Sequence, residues 1–313
     1  MAYSIKPLKP GTVRTYPLAS RPSKVSPADF ARPPRRGETV TGLIAGLPGL
    51  LSARDFKELL ALLRRAKALK KPIIWAMGAH VIKAGLSPVL IDLMKDGWVD
   101  GLALNGAGII HDFEIAYAGR TSEDVGAQIQ TGRFGMAAET DDLLNRAITE
   151  GAAQGLGLGE AVGKMIAGSR FPHKKWSLLG TAYKLGLPVT VHVAIGTDVI
   201  HMHPKADGAA IGATSLRDFY LLCGLVRELN GGGVFLNIGS AVVLPEVFLK
   251  AVSLVRNRGG RLDGFSTAVF DFLKQYRPAE NVARRPLGKK GKGFYFVGPH
   301  EILIPLLAAA LKR

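Results

Sequence analysis

Residues 104–114 of the chain read LNGAGIIHDFE, and they follow the apolar run WVDGLA at residues 98–103. An apolar run that ends in small and then polar residues is typical of a buried parallel strand that turns directly into a helix. Glycine allows the backbone in such a turn to come close to a ligand. Because open α/β sheets bind ligands at the carboxyl ends of their strands, the segment predicts a ligand site at this junction.

Strands and helices alternate along the rest of the chain. The pattern predicts strands at residues 73–77, 99–104, 188–195, 234–238, 264–270 and 294–297. It predicts helices at residues 52–69, 87–95, 112–117, 140–154, 215–229, 243–255 and 301–311. Such alternation indicates an α/β fold with a mostly parallel sheet and helices on both of its faces.

The first 38 residues differ from the remainder because they contain seven prolines. Proline fixes φ and lacks a backbone donor, so this segment is expected to be an extended, basic arm. The arm is either solvated or packed on a neighbouring subunit. Residues 39–313 contain no clean internal linker, and we expect them to form a single α/β domain.

The net charge of +16 raises the question of nucleic-acid binding. However, residues 1–40 and residues 277–313 each carry a net charge of +6, so most of the excess lies at the two ends. The arm also has few aromatic residues among its basic ones. This distribution argues against a nucleic acid as the partner.

The number of cysteines and the length of the apolar runs indicate the cellular location to expect for the protein. The single cysteine, Cys223, lies in an apolar helical pattern and cannot form an internal disulfide, which favours a reducing, cytoplasmic environment. No run of 18 apolar residues is present, so we expect no membrane span.

A second polar cluster follows the strand predicted at residues 188–195. Residues 192–204 contain Asp198 and three histidines, His192, His201 and His203. Zinc enzymes commonly place two histidines four residues apart on a helix, a spacing that is absent here, so we expect no metal. We favour a polar pocket wall in which Asp198 binds a cationic group and His201 or His203 relays protons. His192 lies within the strand and is expected in the core.

A third cluster follows the strand at 234–238. Gly239 and Ser240 occupy the strand end, where free backbone N–H groups can meet a phosphate. Glu246 falls in the first turn of the next helix, where it either contributes to a site or only favours the helix dipole. Asp112 has the same two interpretations at the helix that follows residues 104–108.

The run 284–293, RRPLGKKGKG, includes Lys289 and Lys290. Such a run is typical of a solvated loop, and it is also compatible with a mobile lid over a site. A catalytic lysine requires a lowered pKa, which cationic neighbours or desolvation provide.

The stretch from Gly78 to Val125 resembles the deoxyhypusine synthase family, and a fainter resemblance extends over residues 187–198, 235–252 and 296–308. The resemblance implies a Rossmann-like, NAD-binding fold and a homo-oligomer, a dimer or tetramer. It implies an enzyme that oxidises spermidine with NAD and passes the aminobutyl group through a lysine imine to a protein lysine. We therefore expect an NAD-dependent transferase that moves an aminoalkyl group from a polyamine to a protein lysine or a small amine.

The resemblance also assigns roles to the candidate residues. For NAD binding it implies the residues at the three strand ends: Gly78, Ala79, Asn105, Gly106, Ala107, Gly108, Asp112, Asp198, Gly239 and Ser240. For the amine substrate the candidates are His111, Glu114, Asp198 and Glu246. For catalysis the candidates are Lys289, Lys290, Glu246 and His201.

Two departures from the family pattern are visible. The family's catalytic lysine lies in a Glu-x-x-x-Trp-Gly-Lys motif, whereas Glu280 is followed here by NVARRP. Leu244-Pro245-Glu246 stands where the family has Lys-His-His. An alternative is therefore a family member that binds a nucleotide or an amine without hypusine chemistry. A polyamine would also require a locally acidic pocket in this basic chain.

Overall fold

A six-stranded, fully parallel sheet forms the centre of the computed structural model, which describes residues 4–312. Its strands are β1 (Ile73–Met77), β2 (Gly101–Asn105), β3 (Val189–His192), β4 (Val234–Ile238), β5 (Ser266–Asp271) and β6 (Gly293–Val297). They lie in the order β3-β2-β1-β4-β5-β6. The order reverses between β1 and β4, and this switch point is where open α/β sheets form their ligand crevice.

The helices before β3 are α1 (Val40–Gly46), α2 (Leu51–Ala68), α3 (His80–Lys83), α4 (Ser87–Lys95), α5 (Gly106–Ala118), α6 (Val125–Ile129), α7 (Ala138–Ala153), α8 (Leu158–Gly168) and α9 (Leu178–Leu185). Those after β3 are α10 (Gly208–Glu228), α11 (Val243–Asn257), α12 (Tyr276–Asn281) and α13 (His300–Leu311).

The sheet is buried on both faces, which explains why its strands are continuously apolar rather than alternating. On one face, Trp75, Met77 and Leu104 pack with side chains of α2, α5, α8, α9 and α13. On the other face, Ile74 and Phe235 pack against α10 and α11. The three-layer, Rossmann-like α/β architecture predicted from the alternation is confirmed.

Helices α8 and α9 are the longest of the helices that were not predicted, which also include α1, α3, α6 and α12. The segment 155–168 contains five glycines, which weaken a helical pattern. The structure shows what two of them do. A Cβ on Gly163 would lie 2.8 Å from the Leu179 carbonyl oxygen, and one on Gly159 would lie 2.3 Å from that of Val189. These glycines therefore allow α8 to pack closely on α9 and on β3.

Two of the predicted helices, α5 and α10, begin more than a full turn before the predicted residue. Helix α5 starts at Gly106, directly after β2, instead of at residue 112. Its early start is stabilised by Asn105, whose side chain accepts a hydrogen bond from the Gly108 N–H. Helix α10 starts at Gly208 instead of 215, because Asp207 caps it by accepting from the N–H groups of Ala209 and Ala210.

The Pro-rich arm is almost entirely exposed over residues 4–38 and contains two short 3-10 turns, Leu18–Ser20 and Pro27–Asp29. Its end is attached near α1 by two backbone hydrogen bonds, one from Gly49 to the carbonyl of Asp29 and one from Arg32 to that of Gly46. Packing of the arm on a neighbouring subunit stays a prediction.

Helix α10 is long and apolar enough to cross a membrane by length and composition alone. In the fold, however, it packs on the sheet through buried residues such as Leu222 and Val226, and it carries a buried aspartate, Asp218. Long core helices share these properties, so the length of α10 is explained by its place in the second helical layer.

Candidate functional site

A pocket of about 690 Å³ lies at the carboxyl edge of the sheet, beside α5. Its walls come from the end of α3, the outer face of α5, the loop 120–125, the start of α7 and the loop 197–199. Since β1, β2 and β3 all end at this edge, the polar residues that follow these three strands lie close together around the pocket. We call this cavity the α5 pocket.

The α5 pocket is lined by more acidic than basic side chains. The acidic groups are Glu114, Glu123, Glu139 and Asp198. The basic groups are Lys83 and Arg120, and neither forms an ion pair within residues 4–312. Aromatic rings from α5 and the neighbouring loops provide apolar wall. The charge on the pocket lining is therefore opposite in sign to the net charge of the chain, which is +16.

A connected set of hydrogen bonds lies in the wall of this pocket. Nδ1 of His111 is 2.6 Å from Oγ1 of Thr121, and the Thr121 hydroxyl donates to Glu114. The hydroxyl of Thr140 donates to the other carboxylate oxygen of Glu114 at 3.2 Å. Burial and the positive charge of Lys83 lower the pKa of His111 to about 4, so its imidazole is neutral at neutral pH.

Asp198 connects the pocket to the turn after β2. A Cβ on Gly106 would lie 2.0 Å from Oδ2 of Asp198, so only glycine admits this approach. Burial raises the pKa of Asp198 to about 6, and the backbone N–H groups of Ala107 and Ala194 oppose that shift. Asp198 thus faces the positive end of α5. The structure brings it together with Gly106, and with His111 and Glu114 across the same pocket.

The switch point between β1 and β4 holds a second group of the predicted residues. A Cβ on Gly78 would lie 2.1 Å from the carbonyl oxygen of Gly239, so the two loops touch. Gly239 has φ +62° and packs on the buried ring of His300. Ser240 accepts a hydrogen bond from the N–H of Leu244, in the first turn of α11. Ala79, the residue before α3, is also buried here.

Asp112 was expected to contact the cofactor, but it is fully buried and turned away from the pocket. Its carboxylate accepts hydrogen bonds from the N–H groups of Leu178 at 2.6 Å and Leu179 at 3.2 Å and from the Ser177 hydroxyl. These bonds cap the first turn of α9. Burial raises the pKa of Asp112 to about 6. Asp112 thus links α5 to α9, and its contacts account for an acid at this position.

Glu246 lies on the opposite side of the sheet from the α5 pocket, in the first turn of α11. It pairs with Lys250 and Arg277 and accepts a hydrogen bond from Asn281. The hydrogen bond from Lys250 is the largest influence that lowers the pKa of Glu246. The structure therefore does not bring Glu246 to the α5 pocket within one chain.

Lys289 and Lys290 precede β6 and so lie at the amino edge of the parallel sheet, opposite the pocket. The backbone after these lysines is held at this edge. The carbonyl of Lys292 accepts a hydrogen bond from the Thr267 N–H, and Gly291 packs so closely on the Phe265 carbonyl that an added Cβ would lie 2.7 Å from its oxygen. Within one chain neither lysine can reach the pocket, and their catalytic role stays a prediction.

The three histidines after Val189 have separate roles. His192 is buried beside Thr190, as expected of a core histidine. His201 accepts a hydrogen bond from the Gly196 N–H, and His203 contacts the Gly135 carbonyl. Within residues 4–312, no three histidine, cysteine or acidic side chains are grouped so that they could hold a metal ion.

No family model and no curated protein matches the chain. Solved structures do match. The ternary complex of AgrE with ornithine and NAD⁺ is 16% identical with a TM-score of 0.52, covering 82% of this chain and 32% of AgrE. A protein from Methanococcus maripaludis S2, provisionally assigned as LOR/SDH, is 15% identical with a TM-score of 0.50, covering 83% and 68%.

A third structure is a protein from Entamoeba histolytica whose assignment as a deoxyhypusine synthase is provisional. It is 10% identical with a TM-score of 0.50, covering 88% of this chain and 93% of its own length. The likeness is one of fold. This chain spans about a third of the length of AgrE. The Rossmann-like architecture implied by the resemblance is thus shared with these structures, while their activities are not transferred by it.

Several pocket residues were missed by sequence reasoning: Lys83, Arg120, Thr121, Glu123, Glu139 and Thr140. They come from three separate segments with no common spacing, and only the tertiary fold places them beside α5. Four of them, Lys83, Arg120, Thr121 and Glu123, do lie within the stretch that carries the family resemblance, which is the one signal that could have drawn attention to them.

Proposed function

We propose that the chain is an NAD-dependent enzyme that acts on an amine bound in the α5 pocket, and that it moves an aminoalkyl group from a polyamine such as spermidine to an amine acceptor. The observation that carries the proposal is the acid-rich lining of the pocket in a strongly basic chain. A polyamine is a cation, and it needs such a lining to overcome the repulsion of the surrounding charge.

The position of the pocket supports a nucleotide cofactor. The pocket adjoins the turns after β1, β2 and β3, and Rossmann-like sheets bind dinucleotides at these strand ends. Ala107 and Asp198 line it, and Gly106 lies against the Asp198 carboxylate. NAD, when bound, would supply a hydride acceptor for oxidation of the amine. The residues of the chain would orient the amine, exclude water and hold its N–H hydrogens.

The proposal predicts that the protein incubated with NAD⁺ and spermidine releases diaminopropane. Mass spectrometry of the small molecules, without and with a second amine, checks this result. Omission of NAD⁺ is the control and should abolish release. If NAD⁺ binds and no diaminopropane appears, the transfer chemistry is contradicted, and the chain is instead a member that binds a nucleotide or an amine without hypusine chemistry.

A second candidate is an amino acid with an amine in its side chain. The observation that favours it is that Lys83 and Arg120 line the pocket without ion-pair partners in the described chain. These cations suit a carboxylate and would repel a polyamine. The structural likeness to AgrE, whose complex contains ornithine and NAD⁺, is compatible with this ligand class.

Ornithine and putrescine differ only by the carboxylate, so together they separate the two candidates. If the second candidate holds, ornithine binds in the presence of NAD⁺ about tenfold more tightly than putrescine, and Lys83→Met abolishes the difference. Titration calorimetry measures both affinities. Tighter binding of putrescine would exclude the amino-acid candidate and favour the polyamine.

A further inference from the structure

The two partners of the Thr121 hydroxyl, Glu114 and His111, determine the direction of its hydrogen bonds. The hydroxyl has one hydrogen, and a carboxylate oxygen can only accept, so that hydrogen is donated to Glu114. The 2.6 Å contact between Thr121 and His111 then requires Nδ1 of His111 to be the donor. A neutral imidazole with its hydrogen on Nδ1 carries the lone pair on Nε2.

The surroundings of His111 keep the ring neutral. The charged groups that face it are Lys83 from α3, Glu114 from the next turn of α5, and Glu139 and Asp198 from the opposite walls. Burial is the largest influence, and with Lys83 it lowers the pKa of His111 to about 4. The ring therefore does not become a cation until the pH falls to about that value.

The other ring nitrogen is free for a ligand. Nε2 of His111 forms no hydrogen bond within residues 4–312, although the ring lines the α5 pocket. Glu114 is held in turn by Thr140, so the chain Thr140–Glu114–Thr121–His111 has a single consistent set of donors and acceptors. Nε2 of His111 can therefore accept a hydrogen bond from a ligand, and it cannot donate one.

We propose that Thr121 is a positioning residue that fixes His111 as a neutral acceptor, so that Nε2 receives an N–H group of the ligand in the α5 pocket. This inference rests on the proposed function in that the ligand is an amine. A ligand with an N–H donor is favoured, whereas a carbonyl or carboxylate at the same point would meet a lone pair. Thr121 thereby selects the chemical class of ligand through its effect on His111.

The test is ¹⁵N NMR of the histidine side chains in the whole protein without ligand. The signal of His111 is assigned by its loss in His111→Gln. We expect the Nδ1–H tautomer in the wild type, a mixture of tautomers in Thr121→Val, and the wild-type pattern in Thr121→Ser, which keeps the hydroxyl. A wild-type ring protonated on Nε2 would overturn the inference even if the valine variant failed to fold.

Calorimetry with spermidine and NAD⁺ tests the ligand part. We expect Thr121→Val to weaken spermidine binding roughly tenfold and Thr121→Ser to retain it. Equal affinity of the wild type and Thr121→Val would overturn the selection role. If the wild type shows the expected tautomer but binds no spermidine, the positioning role is supported and the proposed function is contradicted.

Discussion

Replacement of Gly78 by alanine is expected to destabilise the protein by about 3 kcal/mol or more, at the upper end of the cost of overpacking. The added Cβ would lie 2.1 Å from the carbonyl oxygen of Gly239, and the carbonyl carbon is only 2.9 Å away. A backbone carbonyl cannot rotate aside as a side chain can. Gly78 is further fixed because its own N–H donates to the carbonyl of Ile238.

Urea denaturation of Gly78→Ala and of Gly168→Ala measures this effect. Gly168 is the matched control, because it ends α8 and an added Cβ there meets no atom within 4 Å. We expect Gly168→Ala to change stability by less than about 1 kcal/mol. Equal stability of Gly78→Ala and the wild type would mean that the loops after β1 and β4 do not touch as described.

The second large effect is expected at Asp112, whose two carboxylate oxygens both accept hydrogen bonds from the start of α9. In Asp112→Asn the amide NH₂ must face either the Leu178 or the Leu179 N–H, and one buried donor then loses its acceptor. The cost of such a buried, unpaired group is about 1–3 kcal/mol. Urea denaturation should therefore show a clear loss of stability, even though the substitution is nearly isosteric.

Asp218 provides a matched comparison. Only its Oδ2 accepts, from the N–H groups of Gly159 and Val191, while Oδ1 is buried without a hydrogen bond. An asparagine can keep its carbonyl oxygen at the Oδ2 position, so both backbone donors stay paired and Asp218→Asn should lose less stability than Asp112→Asn. If Asp112→Asn and Asp218→Asn were equally stable, the capping role of Asp112 would be contradicted.

The stability of Asp218→Asn relative to the wild type is expected to depend on pH. Burial raises the pKa of Asp218 to about 7, above the unfolded value of about 4. A carboxyl with a raised folded pKa stabilises the fold fully below the unfolded value, and this contribution is lost as the pH rises through the folded value. Asp218→Asn removes this titration, so it should gain stability relative to the wild type between about pH 5 and pH 8.

The strands of the sheet could be predicted because the apolar runs that form them are local in the sequence. Strands β1 and β4 and helix α4 begin and end where the apolar runs and the Ser87-Pro88 start indicated. Helices α8 and α9 could not be predicted, since the close contacts of Gly159 and Gly163 belong to tertiary packing. Intrinsic propensity treats such glycines as helix breakers.

The candidate site was only partly predictable for the same reason. Glu114, His111 and Asp198 were selected because they follow strand ends, and the fold does place them in one pocket. The orientation of Asp112 could not be predicted, because its partner α9 lies 65 residues away in sequence. Lys289 and Lys290 were selected by charge, but the direction of β6 places them at the other edge of the sheet.

The most direct test of the central claim is the affinity for spermidine, measured by calorimetry in the presence of NAD⁺, for the wild type and for Glu114→Gln. Glutamine removes the charge and keeps one oxygen that can accept from Thr121 or Thr140, while its NH₂ group can only donate to the other hydroxyl. We expect binding to the wild type, a loss of about tenfold or more in Glu114→Gln, and no change in Glu228→Gln, an exposed acid of α10. Equal affinity of Glu114→Gln and the wild type, or no binding at all, would contradict an amine site in the α5 pocket.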